Sequence, residues 1–273
     1  MAELDRPVAG GVDSRSDMNN SEDTNGQTPR PLPETYAALA SSLSSFLAVS
    51  IHQILYLRSI YPQPTFLSVR QFNHPVRQSR HPKVCSWVND ACAAVESQLL
   101  KSTVAAVAVI ILSVSTNRPM EKYTFDLTNM PQVSPGDIHT PFESSRKQQG
   151  DKNIALPPPQ ADLEAQFRAV LARLTSSCAR LTPLPAQEEY LPTLHIVLRP
   201  DADAPAGIDK DDQLWIAAES EPSDRPGNQN TSSESNRSDA KTVPVRTVDA
   251  GEMKLEVWIE EARSKFDEIH RIQ

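Results

Sequence analysis

The chain has 273 residues and a formal net charge of −8, enough for one or two domains. The acid excess sits in two polar segments: Met1–Pro33 with six acids and three bases, and Arg199–Ala240 with ten acids and four bases. Neither segment has the apolar content to offset the entropy of ordering it. The remainder is close to neutral, which argues against a direct grip on duplex DNA through many phosphates. The first thirty residues also lack the apolar stretch of a signal peptide.

In chain order, Thr35–Ile60 reads as a long helix. Leu39, Leu43, Phe46, Leu47, Ile51, Ile54 and Leu55 make a broad apolar face, and Val49, Tyr56 and Ile60 begin a second. A helix apolar on more than one side belongs inside a domain. Thr35–Leu57 carries no charge, but five serines plus His52 and Gln53 make it poor hydrocarbon material. Tyr61-Pro62 ends the helix. Gln63–Lys83 reads as an extended loop with a short strand at Thr65–Val69. Its Arg70, Arg77, Arg80 and Lys83 suit a solvated loop better than an anion or nucleic-acid contact, and His52, His74 and His81 lie at no ligand spacing. Pro82 fits the first turn of a second helix reaching about Lys101, with Val84, Val88, Ala91, Cys92, Val95 and Leu99 as its core stripe and Trp87 at the rim.

Val104–Val114 is the most apolar run, rich in β-branched residues from Val107, and reads as a strand covered on both faces. A buried amphipathic helix is the alternative. After the turn Ser115–Pro119, the strand Met120–Leu127 alternates. Glu121, Tyr123, Phe125 and Leu127 share one face; Met120, Lys122, Thr124 and Asp126 share the other, which should be mostly wet. Thr128–Pro159 has no apolar period and reads as an insertion. Gln160–Leu181 is a third helix, with Leu163, Phe167, Val170, Leu171, Leu174, Cys178 and Leu181 at helical spacing. Tyr190–Leu198 is a strand and Leu214–Ala217 a short apolar island. Thr242–Val248 and Met253–Glu260 form a closing hairpin whose Trp258 stands on the polar face, as a harmless aromatic or a contact anchor. Ala262–Gln273 reads as a frayed helical tail. The succession predicts an α+β fold, helices packed on an antiparallel sheet.

Catalytic motifs are missing. The chain contains no GxxxxGK[ST], GxGxxG, GxSxG or HExxH, and only eight glycines. The acids gather in the polar segments rather than in pairs at strand ends. Cys85, Cys92 and Cys178 form no CxxC and no zinc pattern, and read as small buried hydrophobes of a reducing compartment. No enzyme activity, cofactor or metal is expected.

The block His52-Gln53-Ile54-Leu55-Tyr56-Leu57-Arg58-Ser59-Ile60-Tyr61-Pro62 resembles the HxILYxRxxYP signature of the HORMA-domain family. The likeness continues through Asn73–Val76, His81-Pro82, the apolar strand and Arg118–Phe125. It resumes at Leu214–Ala217, Val243–Val245 and Val257–Glu261. Within the family it points to the branch serving translesion DNA polymerase zeta as a non-catalytic accessory subunit, more than to spindle-checkpoint or meiotic-axis adaptors. An enzyme of unrecognised class is the remote alternative.

The resemblance implies a HORMA fold: three helices on a central antiparallel sheet, with a C-terminal safety-belt hairpin closing over an extended partner peptide. Such a peptide adds as a strand to a sheet edge. The implied peptide is a Pro-containing segment of the polymerase zeta catalytic subunit, walled by Tyr61, Trp87 and Trp215, with Ile216 and Ala217 beside them. Trp87 stands where the family often has Tyr, and Ala217 where Leu is common. A second implied surface, Thr242, Val243, Glu256 and Trp258, would take a scaffold Y-family polymerase. Arg168 matches an arginine used in HORMA homo- or heterodimer contacts. The expected layout is a tail at 1–33, a HORMA domain at 34–265 with insertions at 132–159 and 218–241, and a tail at 266–273. Nuclear placement is expected, with the cytoplasm as a further location, and neither membrane insertion nor sequence-specific DNA binding.

Overall fold

The computed structural model describes residues 33–142, 163–202, 241–250 and 253–272. Helix α1, Tyr36–Leu57, begins where the Thr35 hydroxyl accepts the Ala38 N–H at 3.2 Å, an N-cap. It ends in a Schellman motif. Ile60 N–H donates to the Leu55 carbonyl and Ser59 N–H to that of Tyr56, with Ser59 at φ 53° in the place usually given to glycine. Leu43, Phe46, Leu47, Ile51, Ile54 and Leu55 are wholly buried, so α1 is the core helix its two apolar faces predict.

The segment expected as an extended loop with one short strand at Thr65–Val69 is a hairpin, and that strand is its first half. Strand β1, Phe66–Gln71, pairs antiparallel with β2, His74–Ser79. Phe72 and Asn73 make the two-residue turn, both at positive φ (50° and 54°), as a type I′ turn requires. No glycine marks it. Tertiary contacts hold it instead: the Phe72 ring packs 5.2 Å from that of Phe167, and Arg168 Nη1 donates to the Phe72 carbonyl at 3.1 Å. Helix α2, Pro82–Leu99, starts with its proline at N1 and buries Val84, Val88, Cys92, Val95 and Leu99.

Strands β3, Val104–Ser113, and β4, Pro119–Asp126, form the expected central hairpin. Helix α3 is Leu163–Cys178, β5 is Tyr190–Leu198, β6 is Lys241–Ala250 and β7 is Met253–Glu261. The larger sheet is antiparallel in the order β5-β3-β4-β7-β6. Its inner face carries Val107, Val109, Ile111, Tyr123, Phe125, Leu255, Val257 and Ile259, all in one apolar cluster with α1, α2 and α3. Phe46 of α1 joins the layers, stacking on Phe167 at 4.3 Å and meeting Phe125 edge-on at 6.1 Å. The outer face of β4 is drier than its pattern implies. Met120 and Thr124 are buried there, because β4 is an interior strand flanked by β3 and β7.

The chain end is not a frayed tail. Arg263–Ile272 is helix α4, and its Lys265 has no exposed surface. Here a charged side chain, not an apolar stripe, docks the helix.

Candidate functional site

Consecutive strands β5 and β6 lie on opposite edges of the sheet. They also lie at opposite ends of it. Leu198, the last residue of β5, pairs with Val104, whereas Lys241, the first of β6, pairs with Glu261, which in turn faces Glu121 and Ile111. At about 4.8 Å per strand and about 3.3 Å per residue, the two ends are roughly 30 Å apart across the sheet. Residues 199–240 join them, a length that can extend to roughly 140 Å. The connection therefore has far more chain than the gap needs.

Strand β5 pairs with β3 on one side and, among the described residues, with nothing on the other. Its inward residues Pro192, Leu194 and Ile196 stand opposite Ile111, Val109 and Val107. Leu191 and Val197, on the other face, are 54% and 49% exposed. An unpaired edge with exposed apolar side chains is a template for a further strand.

Of the implied peptide wall, Tyr61 and Trp87 are half-buried against the core, Tyr61 just beyond α1 and Trp87 on α2. Burial pushes the Tyr61 hydroxyl above its usual pKa. Trp215, Ile216 and Ala217 lie outside the described residues, as do the islands and acidic tract around them. In the β6–β7 hairpin the register sorts the second candidate surface. Thr242 pairs with Glu260, Pro244 with Trp258 and Thr247 with Glu256, so Thr242, Glu256 and Trp258 share the outer face. Val243 pairs with Ile259 and turns inward against the core. A cleft of about 450 Å³ opens beside this hairpin, bordered by Arg173 and Ser177 of α3, by Arg180 just beyond it, and by Val245, Arg246, Glu256 and Trp258. Arg168 of α3 is tied to the β1–β2 turn as described above. Arg77 lies over the Tyr56 ring at 4.9 Å, so one of the four cations of the basic segment is used internally.

The sequence reading missed a buried ionic cluster at the sheet end nearest α4. Glu121 of β4 accepts Arg58 Nε at 2.9 Å and Nη2 at 2.6 Å, the Tyr123 hydroxyl at 2.7 Å and Lys265 Nζ at 2.5 Å. Glu261 of β7 accepts Lys265 Nζ at 2.7 Å and the Thr182 N–H at 2.9 Å, with Lys241 Nζ 3.0 Å away. Arg58 also donates to the carbonyls of Cys178 and Thr182. Glu121, Glu261 and Lys265 are fully buried. Burial works against the Glu261 carboxylate, but Lys265 and Lys241 outweigh it and hold its pKa below the usual range. Likewise Glu121 outweighs burial and raises the Arg58 pKa. Burial, then Glu121, drives the Tyr123 phenol well above its ordinary value. Arg58, Glu121 and Glu261 all stand inside the motif blocks quoted above, yet nothing local pairs them. The one local signal is the i, i+4 spacing of Glu261 and Lys265.

Burial pushes the Cys92 and Cys178 thiols to about 12, so neither is a nucleophile. No group of His, Cys, Asp and Glu able to hold a metal occurs among the described residues.

Comparison with known proteins agrees with this architecture. A DNA polymerase zeta processivity subunit of Schizosaccharomyces pombe is 29% identical over 216 residues, 79% of this chain and 89% of that protein. The mitotic spindle assembly checkpoint protein MAD2B of Rattus norvegicus is 38% identical over 96 residues, 35% of this chain and 45% of that protein. Among solved structures, C. elegans HTP-2 bound to the HIM-3 closure motif matches with a TM-score of 0.53 at 10% identity, covering 84% of this chain and 92% of that one. The HORMA domain model matches residues 40–208. With helices on one face of an antiparallel sheet and a C-terminal hairpin on the far side from β5, the chain belongs to the HORMA-domain family.

Proposed function

We propose that the protein is a non-catalytic adaptor subunit of DNA polymerase zeta in translesion synthesis, acting in the nucleus. It holds an extended, Pro-containing peptide of the polymerase catalytic subunit along the open edge of β5, with residues 199–240 passing over it as a belt. The observation that carries this reading is the β5 edge, unpaired among the described residues, with exposed Leu191 and Val197, joined by a long connection to a hairpin on the opposite edge. Backbone pairing supplies grip, side-chain pockets supply selectivity, and the belt slows release. Tyr61, Trp87 and Trp215, with Ile216 and Ala217, are the candidate wall. The outer face of Thr242, Glu256 and Trp258 is the candidate surface for a Y-family scaffold polymerase, with Val243 supporting it from beneath. Arg168 is the candidate HORMA dimer contact, a role it would share with holding the β1–β2 turn.

The test is titration of the full chain with a Pro-containing peptide from the polymerase catalytic subunit. Leu191→Asp and Val197→Asp should each weaken binding by at least about tenfold, and Trp215→Ala should do likewise. Equal binding by wild type and all three variants contradicts the reading. Lengthening a flexible loop costs little closure entropy, so deleting residues 222–238 should leave affinity within a few fold. A loss beyond tenfold assigns the acidic tract more than a spanning role.

A further inference from the structure

Glu121 and Glu261 are direct partners in the β4–β7 register, on the same buried face. Two carboxylates opposed in this way repel one another. Lys265 stands between them, its Nζ 2.5 Å from Glu121 Oε1 and 2.7 Å from Glu261 Oε1. It comes from the first turn of α4, which is fixed at the same place by two more bonds. The Ala262 N–H donates to the Met120 carbonyl, and the Ser264 hydroxyl donates to the Pro119 carbonyl.

The charges divide by origin. Arg58 and Glu121 belong to α1 and β4 and pair with each other in bidentate fashion. Glu261 and Lys265 belong to the segment after residue 240 and pair at i, i+4. Each of these two pairs is neutral by itself, and the cluster's third cation, Lys241, also of the incoming segment, stands at the rim with its side chain 55% exposed. Parting β7 and α4 from β4 therefore leaves neither buried carboxylate without a cation. Docking them without Lys265 leaves two opposed acids, with only Arg58 and the rim cation Lys241 to answer them.

We propose that Lys265 is the positioning residue of a reversible latch: by bridging Glu121 and Glu261 it licenses the pairing of β7 with β4, and so sets how long the β6–β7 hairpin stays docked and a peptide held at the β5 edge is retained. The last clause rests on the peptide-holding reading above; the latch itself does not.

The test compares wild type, Lys265→Met and Lys265→Met/Glu261→Gln in the full chain. Amide hydrogen exchange is read separately for β6–β7–α4 and for α1 and β3, and the dissociation rate is read for the Pro-containing peptide. Lys265→Met should speed exchange of β6, β7 and α4 by at least about tenfold while α1 and β3 stay protected, since breaking a buried pair exposes the remaining charge. Peptide release should quicken by a similar factor. The double variant, which removes the second acid charge, should recover most of both effects. Unchanged exchange in β6–β7 overturns the latch. So does a uniform rise across α1 and β3 without recovery in the double variant. Should Lys265→Met not fold, a folded double variant with a firmly docked hairpin supports the latch, and an unfolded one overturns it. If wild type binds no peptide, the peptide-holding reading fails while the exchange data still decide the latch.

Discussion

Several separate chain segments meet at Glu121. Arg58 brings the end of α1 and, through its other bonds, the end of α3; Lys265 brings α4. Removing its charge while keeping its shape leaves Arg58 and Lys265 in excess over Glu261 in a buried site. Glu121→Gln should cost about 3–5 kcal/mol in denaturant unfolding, far more than the exposed pair Lys122–Glu260 could contribute. His52 supplies a pH dependence. Burial holds its imidazole below the ordinary value, and its Nδ1 faces the Ser79 N–H at 3.5 Å, which requires the unprotonated ring nitrogen. In the unfolded chain the group titrates near about 6.5. Its contribution is present above that pH and is lost as pH falls through the lower folded value. The unfolding midpoint should therefore drop as pH falls below about 6.5, and His52→Gln should flatten part of that slope. His195, lowered by burial and then by Lys122, accounts for a further part.

At the scale of elements, what could be read from sequence was what depends on spacing. Helix α1, the β3–β4 hairpin, α3, β5 and β7 follow from apolar periodicity and appear within a few residues of their expected bounds. The β1–β2 hairpin was hidden because its turn, Phe72-Asn73, holds positive φ without glycine. Its strands mix Arg, His and Pro with few apolar residues. The turn is imposed by the Phe72–Phe167 contact and by Arg168, partners nearly a hundred residues away. Helix α4 was expected as a frayed helical tail; its docking was hidden for a related reason, because a lysine looks solvent-bound until the acid 144 positions earlier is placed beside it. The inward turn of Val243, against outward Thr242 and Trp258, needed only strand alternation and could have been drawn from it. The same packing predicts energetics. Phe167 joins the stacks of Phe46 and Phe72 and is almost wholly buried. Phe167→Ala should cost about 3–5 kcal/mol and should loosen the β1–β2 turn, measurable as faster proteolysis or amide exchange there.

At the scale of the molecule, the strand order separates a platform from a closure. Helices α1, α2 and α3 with β3, β4 and β5 come from the first two hundred residues, while β6, β7 and α4 arrive from the far end of the chain, dock on the β4 side and complete the apolar core with Val248, Leu255, Val257 and Ile259. The open β5 edge and the docked hairpin are joined by residues whose length exceeds the distance several times over. A connection of that length can serve as the proposed strap. In the proposed function an extended peptide completes the sheet at β5. Amide hydrogen exchange of the full chain, with and without the Pro-containing peptide of the polymerase catalytic subunit, tests this directly. New protection is expected along β5, Tyr190–Leu198, with β6 and β7 unchanged. Protection confined to β6–β7 or to α3, with β5 exchanging as before, would contradict it.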